Sequence, residues 1–342
     1  MHKLPILLIS LFLTTGLLSQ TDDEKILELV QEGVQYHDSQ NYDKAIKKYK
    51  EALALDKKSP LANYELAMTY SEKGDFPQSL KYANKVIKQK NEYVIPAYMV
   101  KGNVLDEQGR TKKSIKLFNK AIKETDGHYL LNYNLGINYF KEGDLDAASE
   151  QMIKAIMRNP THASSHLYLA LAQKRKEELV KSLLPIYYFL LLEPNSKRAE
   201  NAYVLLQSDL SGDVSQDGFD ETQVNIVVND SEDNPYGSVE LMINLMAAAR
   251  FTDKHKDQTN EQYFLVTTKG VFEQLGALDI KAKDIWSDFY VPFFKQVKES
   301  KHFETFTQYV MQGTSDLATE WIAFHPDEVE DFFFWLNEGR GK

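Results

Sequence analysis

The chain has no cysteine, so neither a thiol nucleophile nor a cysteine-ligated zinc site can form. Few other residues are spaced for chemistry. His162 and His166 stand four apart, the interval at which two imidazoles share one helical face, as metal ligands do. The glutamate of a His-Glu-x-x-His protease helix is missing beside them, so they are expected to be packing or surface histidines. Asp213, Asp217 and Asp220, with Gly218 among them, loosely suggest calcium. An EF-hand loop needs acids at alternate positions and a glutamate at the twelfth, and this spacing does not supply them. No glycine-rich phosphate loop or Gly-x-Ser-x-Gly elbow occurs. The expectation is therefore a chain without cofactor, metal or catalytic residues, whose function is to bind.

The elements that would do the binding follow from a repeat. Gly33, Ala67, Gly102, Gly136 and Ala170 recur at intervals of 34, 35, 34 and 34 residues. Twelve positions after each stands another compact side chain: Ala45, Ser79, Ser114, Ala148 and Ser182. Seven further on lies a third set, Ala52, Val86, Ala121, Ala155 and Phe189. A period of this length marks a solenoid of stacked supersecondary units. Each unit is too small to bury its own apolar face, so neighbours must complete it and the array should be cooperative. Leu66, Leu135 and Leu169 precede their anchors by one residue, and Tyr36, Tyr70 and Tyr139 follow theirs by three. These spacings place them on one helical face. Gly74, Gly109 and Gly143 supply left-handed turns at helix ends. Pro160 and Pro194 stop helices, and Pro60 and Pro96 can begin them. The fifth unit departs from this pattern. Its turn, Lys174 to Glu178, has no glycine, and Pro185 falls early in its second helix, so a shifted helix start or a kink is expected there.

In the fourth unit, Leu135-Gly136, Tyr139, Gly143-Asp144, Ala148, Ala155 and Pro160 resemble the tetratricopeptide repeat most closely. The resemblance covers about half of the chain. It implies an all-α fold: a right-handed superhelix of about five helix-turn-helix repeats at about 26–59, 60–93, 95–128, 129–162 and 163–196, with a capping helix at 197–208. In this family the positions three before, one after and four after the small anchor face a ligand groove. Carried over, these are Val30, Val34 and His37; Tyr64, Met68 and Ser71; and Met99, Asn103 and Asp106. The last two repeats give Tyr133, Ile137 and Phe140, and Leu167, Leu171 and Lys174. From these, Tyr64, Met68, Met99, Asn103, Tyr133, Ile137, Phe140, Leu167 and Leu171 are taken as the candidate partner-binding residues. The family's clamp for C-terminal carboxylates needs Lys and Asn in the first repeat. Val30 and Val34 hold those places, so that chemistry is not expected. An exposed groove this apolar would exceed what soluble monomers usually show, so a protein or peptide should cover it.

The rest of the chain differs in composition. Residues 1–20 have a basic start and an apolar stretch from Leu4 to Leu18, then Ser19-Gln20-Thr21 and three acids. This is the pattern of a secretory signal peptide, cleaved near Gln20 and too short to span a bilayer comfortably. It leads us to expect an exported chain, periplasmic or secreted in a bacterial envelope, without membrane insertion after cleavage. Lacking cysteine, the chain is not a lipoprotein. Residues 22–210 carry a charge balance of +2, whereas residues 211–342 carry −13. The acidic tail disfavours nucleic acid and anionic lipid. Residues 209–237 read as an acidic linker with one short strand near Gln223–Val228. An aromatic-rich helical domain over 238–342 should follow, with helices at Glu261–Leu278, Asp284–Val297, His302–Met311, Asp316–Phe324 and Asp327–Asn337. Four consecutive aromatics, Phe332 to Trp335, cannot all face inward from one helix, so at least one must be exposed. The favoured function is an exported, non-enzymatic scaffold or adaptor. Two alternatives stand beside it: repeats presenting a glycan-binding or enzymatic tail around Trp286, Trp321 and Trp335, or a tail that caps the groove of a rigid structural component.

Overall fold

The computed structural model describes residues 21–216, 224–226, 234–252 and 257–339. The expected signal segment, and Asp217, Gly218 and Asp220 of the loose calcium pattern, lie outside these residues. The described chain is all-α apart from one short ribbon. Ten helices come in sequential pairs: α1 (Asp22–Asp38) and α2 (Tyr42–Leu55), α3 (Pro60–Glu72) and α4 (Phe76–Gln89), α5 (Val94–Glu107) and α6 (Thr111–Glu124). They continue with α7 (Tyr129–Glu142) and α8 (Leu145–Arg158), then α9 (Ala163–Arg175) and α10 (Leu179–Leu192). After α11 (Lys197–Leu210), β1 (Val214–Gln216) pairs antiparallel with β2 (Val224–Ile226), Ser215 opposite Asn225. Next come α12 (Gly237–Ala249), α13 (Asn260–Ala277), a π-helical turn at Trp286–Tyr290 and α14 (Val291–Glu299). The last elements are α15 (Phe303–Met311), α16 (Asp316–Phe324), α17 (Pro326–Phe334) and a second π-helical turn at Trp335–Gly339. The chain divides into two compact units between Gln108 and Gly109, so α5 belongs to the first and α6 to the second.

The recurring small residues are buried where paired helices cross. A methyl group on Gly33 would lie 2.3 Å from the Tyr49 ring, and one on Gly136 would lie 2.7 Å from the end of Met152 and 3.3 Å from the Ala148 carbonyl. At the second anchor the facing serine is also used: Ser79 Oγ donates to the Ala67 carbonyl at 2.8 Å. Larger side chains at these places would force the helix axes apart. The turns repeat with the same period. Gln40 (φ 58°), Gly74 (80°), Gly109 (69°), Gly143 (82°) and Glu177 (61°) all adopt the left-handed conformation. Where an aspartate follows the glycine it caps the next helix: Asp75 accepts from the Gln78 amide at 3.3 Å and Asp144 from the Ala147 amide at 3.1 Å.

In the fifth repeat α10 starts on schedule at Leu179, so the helix start is not shifted, and Pro185 lies inside the helix, which runs to Leu192. Proline has no N–H for the carbonyl four residues back, that of Lys181. The Trp286 indole N–H donates to this carbonyl at 3.1 Å, so a tail residue fills the vacancy that Pro185 leaves.

One hydrophobic core runs from Met152 to Leu336 and has α10 near its centre. Ser182 to Leu191 are all buried, so this helix has no polar face and must be covered on every side. α12, α15 and the first π-helical turn pack on α10, and α12 and α13 pack on α11. Tyr187 donates to or accepts from Thr268 Oγ1 at 2.7 Å, with Phe264, Phe272, Phe294 and Phe306 around its ring. The Tyr263 hydroxyl donates to the Leu210 carbonyl at 2.6 Å. Core packing thus continues across residue 208, where the composition had suggested the repeat domain would stop. Most tail aromatics serve this core, and of the four consecutive ones Phe332 is buried while Phe334 is 61% exposed.

Candidate interaction surface

In the first unit, Tyr64 on α3 is half-buried, its ring 5.6 Å from that of Tyr93, which caps α5. Burial raises the pKa of its hydroxyl, with the neighbouring Glu65 adding to the shift. Met68 and Met99 are half-buried and Asn103 is exposed. Val30 and Val34, which replace the polar residues of a carboxylate clamp, line a groove between α1 and α3 together with Leu61 and Glu65. His37 Nδ1 lies 2.8 Å from Thr69 Oγ1. The polar end of this row is thereby engaged between α1 and α3.

In the second unit, α7 and α9 bring rings together. Tyr133 stands edge-on to His162 at 4.8 Å and to Tyr168 at 6.0 Å. Phe140 meets Tyr168 edge-on at 5.7 Å, and the Arg175 guanidinium lies 4.8 Å above the Phe140 ring. Arg175 also donates to the Phe140 carbonyl at 3.2 Å, so its planar head is held over the ring as a fixed cation–π pair. Ile137 and Leu171 are half-buried against the core. Burial raises the pKa of the Tyr133 hydroxyl. Burial lowers that of His162, and the nearby Arg198 lowers it further. These partly exposed rings form an amphipathic face suited to apolar and cation-accepting contacts.

Two expected contacts are spent elsewhere. Leu167 is only 8% exposed and belongs to the core that the tail completes, so it offers little surface. Lys174 is paired with Asp209, a buried carboxylate that also accepts from Ser182 Oγ at 3.3 Å. Sequence reasoning missed Tyr168 and Arg175. They sit two before and five after Ala170, outside the offsets taken from the family. It also missed Glu65, two before Ala67. A first helix turns its neighbour-facing side at these places, and the aromatic or charged type was the available signal.

His162 and His166 do not form a metal pair. His166 is buried, with Nε2 2.8 Å from the Pro160 carbonyl and Nδ1 2.6 Å from the Tyr290 hydroxyl. A carbonyl only accepts, so Nε2 carries the proton and Nδ1 accepts from Tyr290. Burial lowers the pKa of this imidazole to about 4, so the ring is neutral near pH 7. His162 Nδ1 pairs instead with Ser165 Oγ at 2.8 Å. Among the described residues no group of three His, Asp or Glu side chains is placed to hold a metal. The tryptophans do not share a pocket either. Trp286 is buried against α10, Trp321 stacks on His325 at 4.2 Å, and Trp335 lies by His302 at 5.2 Å.

Models of the tetratricopeptide repeat match residues 33–74, 64–129 and 130–162. The chain therefore carries tetratricopeptide repeats over this stretch. A TPR repeat-containing protein of Methanocaldococcus jannaschii is 25% identical over 118 residues, 34% of this chain and 20% of that protein. The chain thus spans about a fifth of the length of this curated relative. Several solved structures are similar to it. MamA from residue 41 onward, of Desulfovibrio magneticus RS-1, is 20% identical with a TM-score of 0.41, covering 51% of this chain and 97% of that one. A thermophilic TPR protein of Thermus thermophilus is 20% identical with a TM-score of 0.44, covering 54% and 98%. PilF of Pseudomonas aeruginosa is 20% identical with a TM-score of 0.47, covering 55% and 85%.

Proposed function

We propose that this chain is an exported, non-enzymatic scaffold that holds a protein or peptide partner on the first-helix face of its repeats. The observation that carries the reading is the set of half-buried rings on α7 and α9. Tyr133 and Phe140 meet His162, Tyr168 and Arg175, all from the repeats, and keep part of their surface in solvent. The described tail helices pack chiefly on α10 and α11 and reach α9 at the buried His166, leaving these rings partly exposed. Partly solvated tyrosine and phenylalanine beside an ordered arginine make the composition from which interface anchors are built. Export rests on the basic and apolar character of residues 1–20, and the proposed compartment is the bacterial envelope.

The test is partner capture in that compartment. A photo-crosslinking side chain at Ile137 should trap a defined partner. Tyr133→Ala and Phe140→Ala should each reduce the yield roughly tenfold, the usual cost of removing an aromatic anchor, with helicity unchanged. Equal yield from both variants would remove the first-helix face from the function. Retention of the mature chain in the cytoplasm would remove the envelope assignment.

A further inference from the structure

The first unit contains a groove between α1 and α3 of about 390 Å³. Its walls are aliphatic, from Leu27, Val30, Val34 and Leu61, with the amides of Gln31 and Gln35 beside them. Leu27 is 49% exposed, so the groove is open. Glu65 is the one ionisable side chain that lines it. This carboxylate is half-buried and forms no salt bridge with a lysine or arginine among the described residues. Its neighbours are the Tyr49 hydroxyl and, more distantly, another acid, Asp38. The fully buried Tyr49 reaches past Gly33, whose missing side chain makes room for its ring. Its hydroxyl lies beside Glu65 and Thr69 yet makes no well-aligned hydrogen bond to either. The groove floor is thus negative and partly desolvated, with no cation among the described residues beside its carboxylate.

A partly buried carboxylate without a cation carries part of its desolvation cost unpaired and is stabilised by a cation that arrives beside it. The aliphatic side chains of Leu27, Val30, Val34 and Leu61 favour apolar groups around it. We infer that the α1–α3 groove docks a peptide segment that presents a lysine or arginine between aliphatic side chains, the cation meeting Glu65. This rests on the reading of the first-helix face as the docking face, and it specifies the chemistry of one partner segment. The volume suits a few side chains rather than a folded domain. The opposite charge sense, an acidic peptide tail, would place like charges together here.

Two acetylated and amidated probe peptides distinguish the outcomes: Ser-Leu-Lys-Leu-Ser and its analogue with glutamine for lysine. Each is titrated into the full chain and followed through backbone amide resonances. The lysine peptide should shift the amides of Val34 and Glu65 and bind about tenfold more tightly than the glutamine peptide. Glu65→Gln should abolish that preference and leave the glutamine peptide unchanged. Gln31→Lys, at an exposed position on the groove wall, should abolish it as well by supplying a cation to Glu65, and it leaves the Tyr49 neighbourhood intact. Equal affinity for the two peptides, a preference that survives both substitutions, or shifts away from α1 and α3 would each overturn the inference. If any of these occurs while partner capture still depends on Tyr133 and Phe140, only this inference fails. If capture is independent of those rings, the parent reading fails instead.

Discussion

The fourth and fifth repeats use the same hairpin for opposite ends. In both, a small anchor on the first helix, Gly136 or Ala170, is buried against the second helix, and a left-handed residue turns the chain. The second helices then diverge. α8 buries Ala148, Met152 and Ala155 on one side and leaves Glu150, Lys154, Met157 and Arg158 in solvent. α10 exposes none of its residues fully, and the tail is built around it. A helical repeat therefore becomes the nucleus of a globular core when its outward stripe changes from charged to aliphatic, while the inward spacing stays the same. The small-residue period encodes the hairpin; the opposite face encodes what lies beyond it.

The first helices show the same divergence at the position four before the anchor. In the second and fourth repeats an asparagine there donates back to the preceding loop: Asn63 Nδ2 to the Ser59 carbonyl at 2.8 Å and Asn132 Nδ2 to the Gly127 carbonyl at 3.1 Å. In the fifth, His166 Nε2 does this toward Pro160, and Nδ1 is left to accept from Tyr290 in the tail. A histidine thus adds a second contact and a proton-sensitive one. Its folded pKa, about 4, lies below an unfolded value of about 6.5. Between these values the unfolded chain binds the extra proton, so stability is full above pH 6.5 and falls as pH drops toward 4. Going from pH 7.5 to 5 should cost about 2 kcal/mol through this group alone. Urea unfolding of the wild type and of His166→Asn at both pH values isolates it. The variant is less stable at pH 7.5 but should lose about 2 kcal/mol less on acidification. Parallel losses in the two proteins would show that His166 carries no such linkage.

The link between Pro185 and Trp286 sharpens the same contrast, because α8 has neither residue. If the indole N–H compensates for the missing proline N–H, Trp286→Phe should cost about 1–2 kcal/mol in the wild type by leaving the partly buried Lys181 carbonyl unpaired. In a Pro185→Ala background the helix supplies its own donor, so the same change should cost about 1 kcal/mol less. A double-mutant cycle in chemical denaturation measures this coupling. A cost of Trp286→Phe that is the same in both backgrounds would reduce the contact to ring packing.

These contacts also explain what the sequence could reveal. The hairpins were legible because Gly33, Gly136 and their counterparts answer to a local demand, the close crossing of two helices, which repeats with the chain. The helical tail was legible from its apolar spacing. Its place was not, since the pairing of Tyr187 with Thr268 or of Trp286 with Lys181 joins residues far apart in sequence through shape alone. The apolar run from Leu183 to Leu192 was the one local trace of it. The surface divides in the same way. Tyr133 and Phe140 could be placed from the repeat register, but Leu167 is covered because the core it joins is completed by the tail. Glu65 escaped notice because it turns toward the neighbouring first helix, whose direction no single repeat specifies.

The smallest expected effect concerns the turns. The fourth repeat places Gly143 in the left-handed region, and the fifth places Glu177 there. A side chain in that conformation meets its own carbonyl and costs about 1 kcal/mol relative to glycine. Glycine, however, also gains freedom in the unfolded chain, which offsets part of the benefit. Glu177→Gly should therefore stabilise by about 0.5 kcal/mol, and Gly143→Ala should destabilise by about 1 kcal/mol. Glu177 is exposed, and its backbone amide already donates to the Lys174 carbonyl at 3.0 Å, a bond that glycine keeps. Thermal and urea unfolding of both variants provide the measurement. A destabilised Glu177→Gly would mean that the glutamate side chain itself holds this turn. The fifth hairpin would then differ from the fourth in how it turns as well as in what it buries.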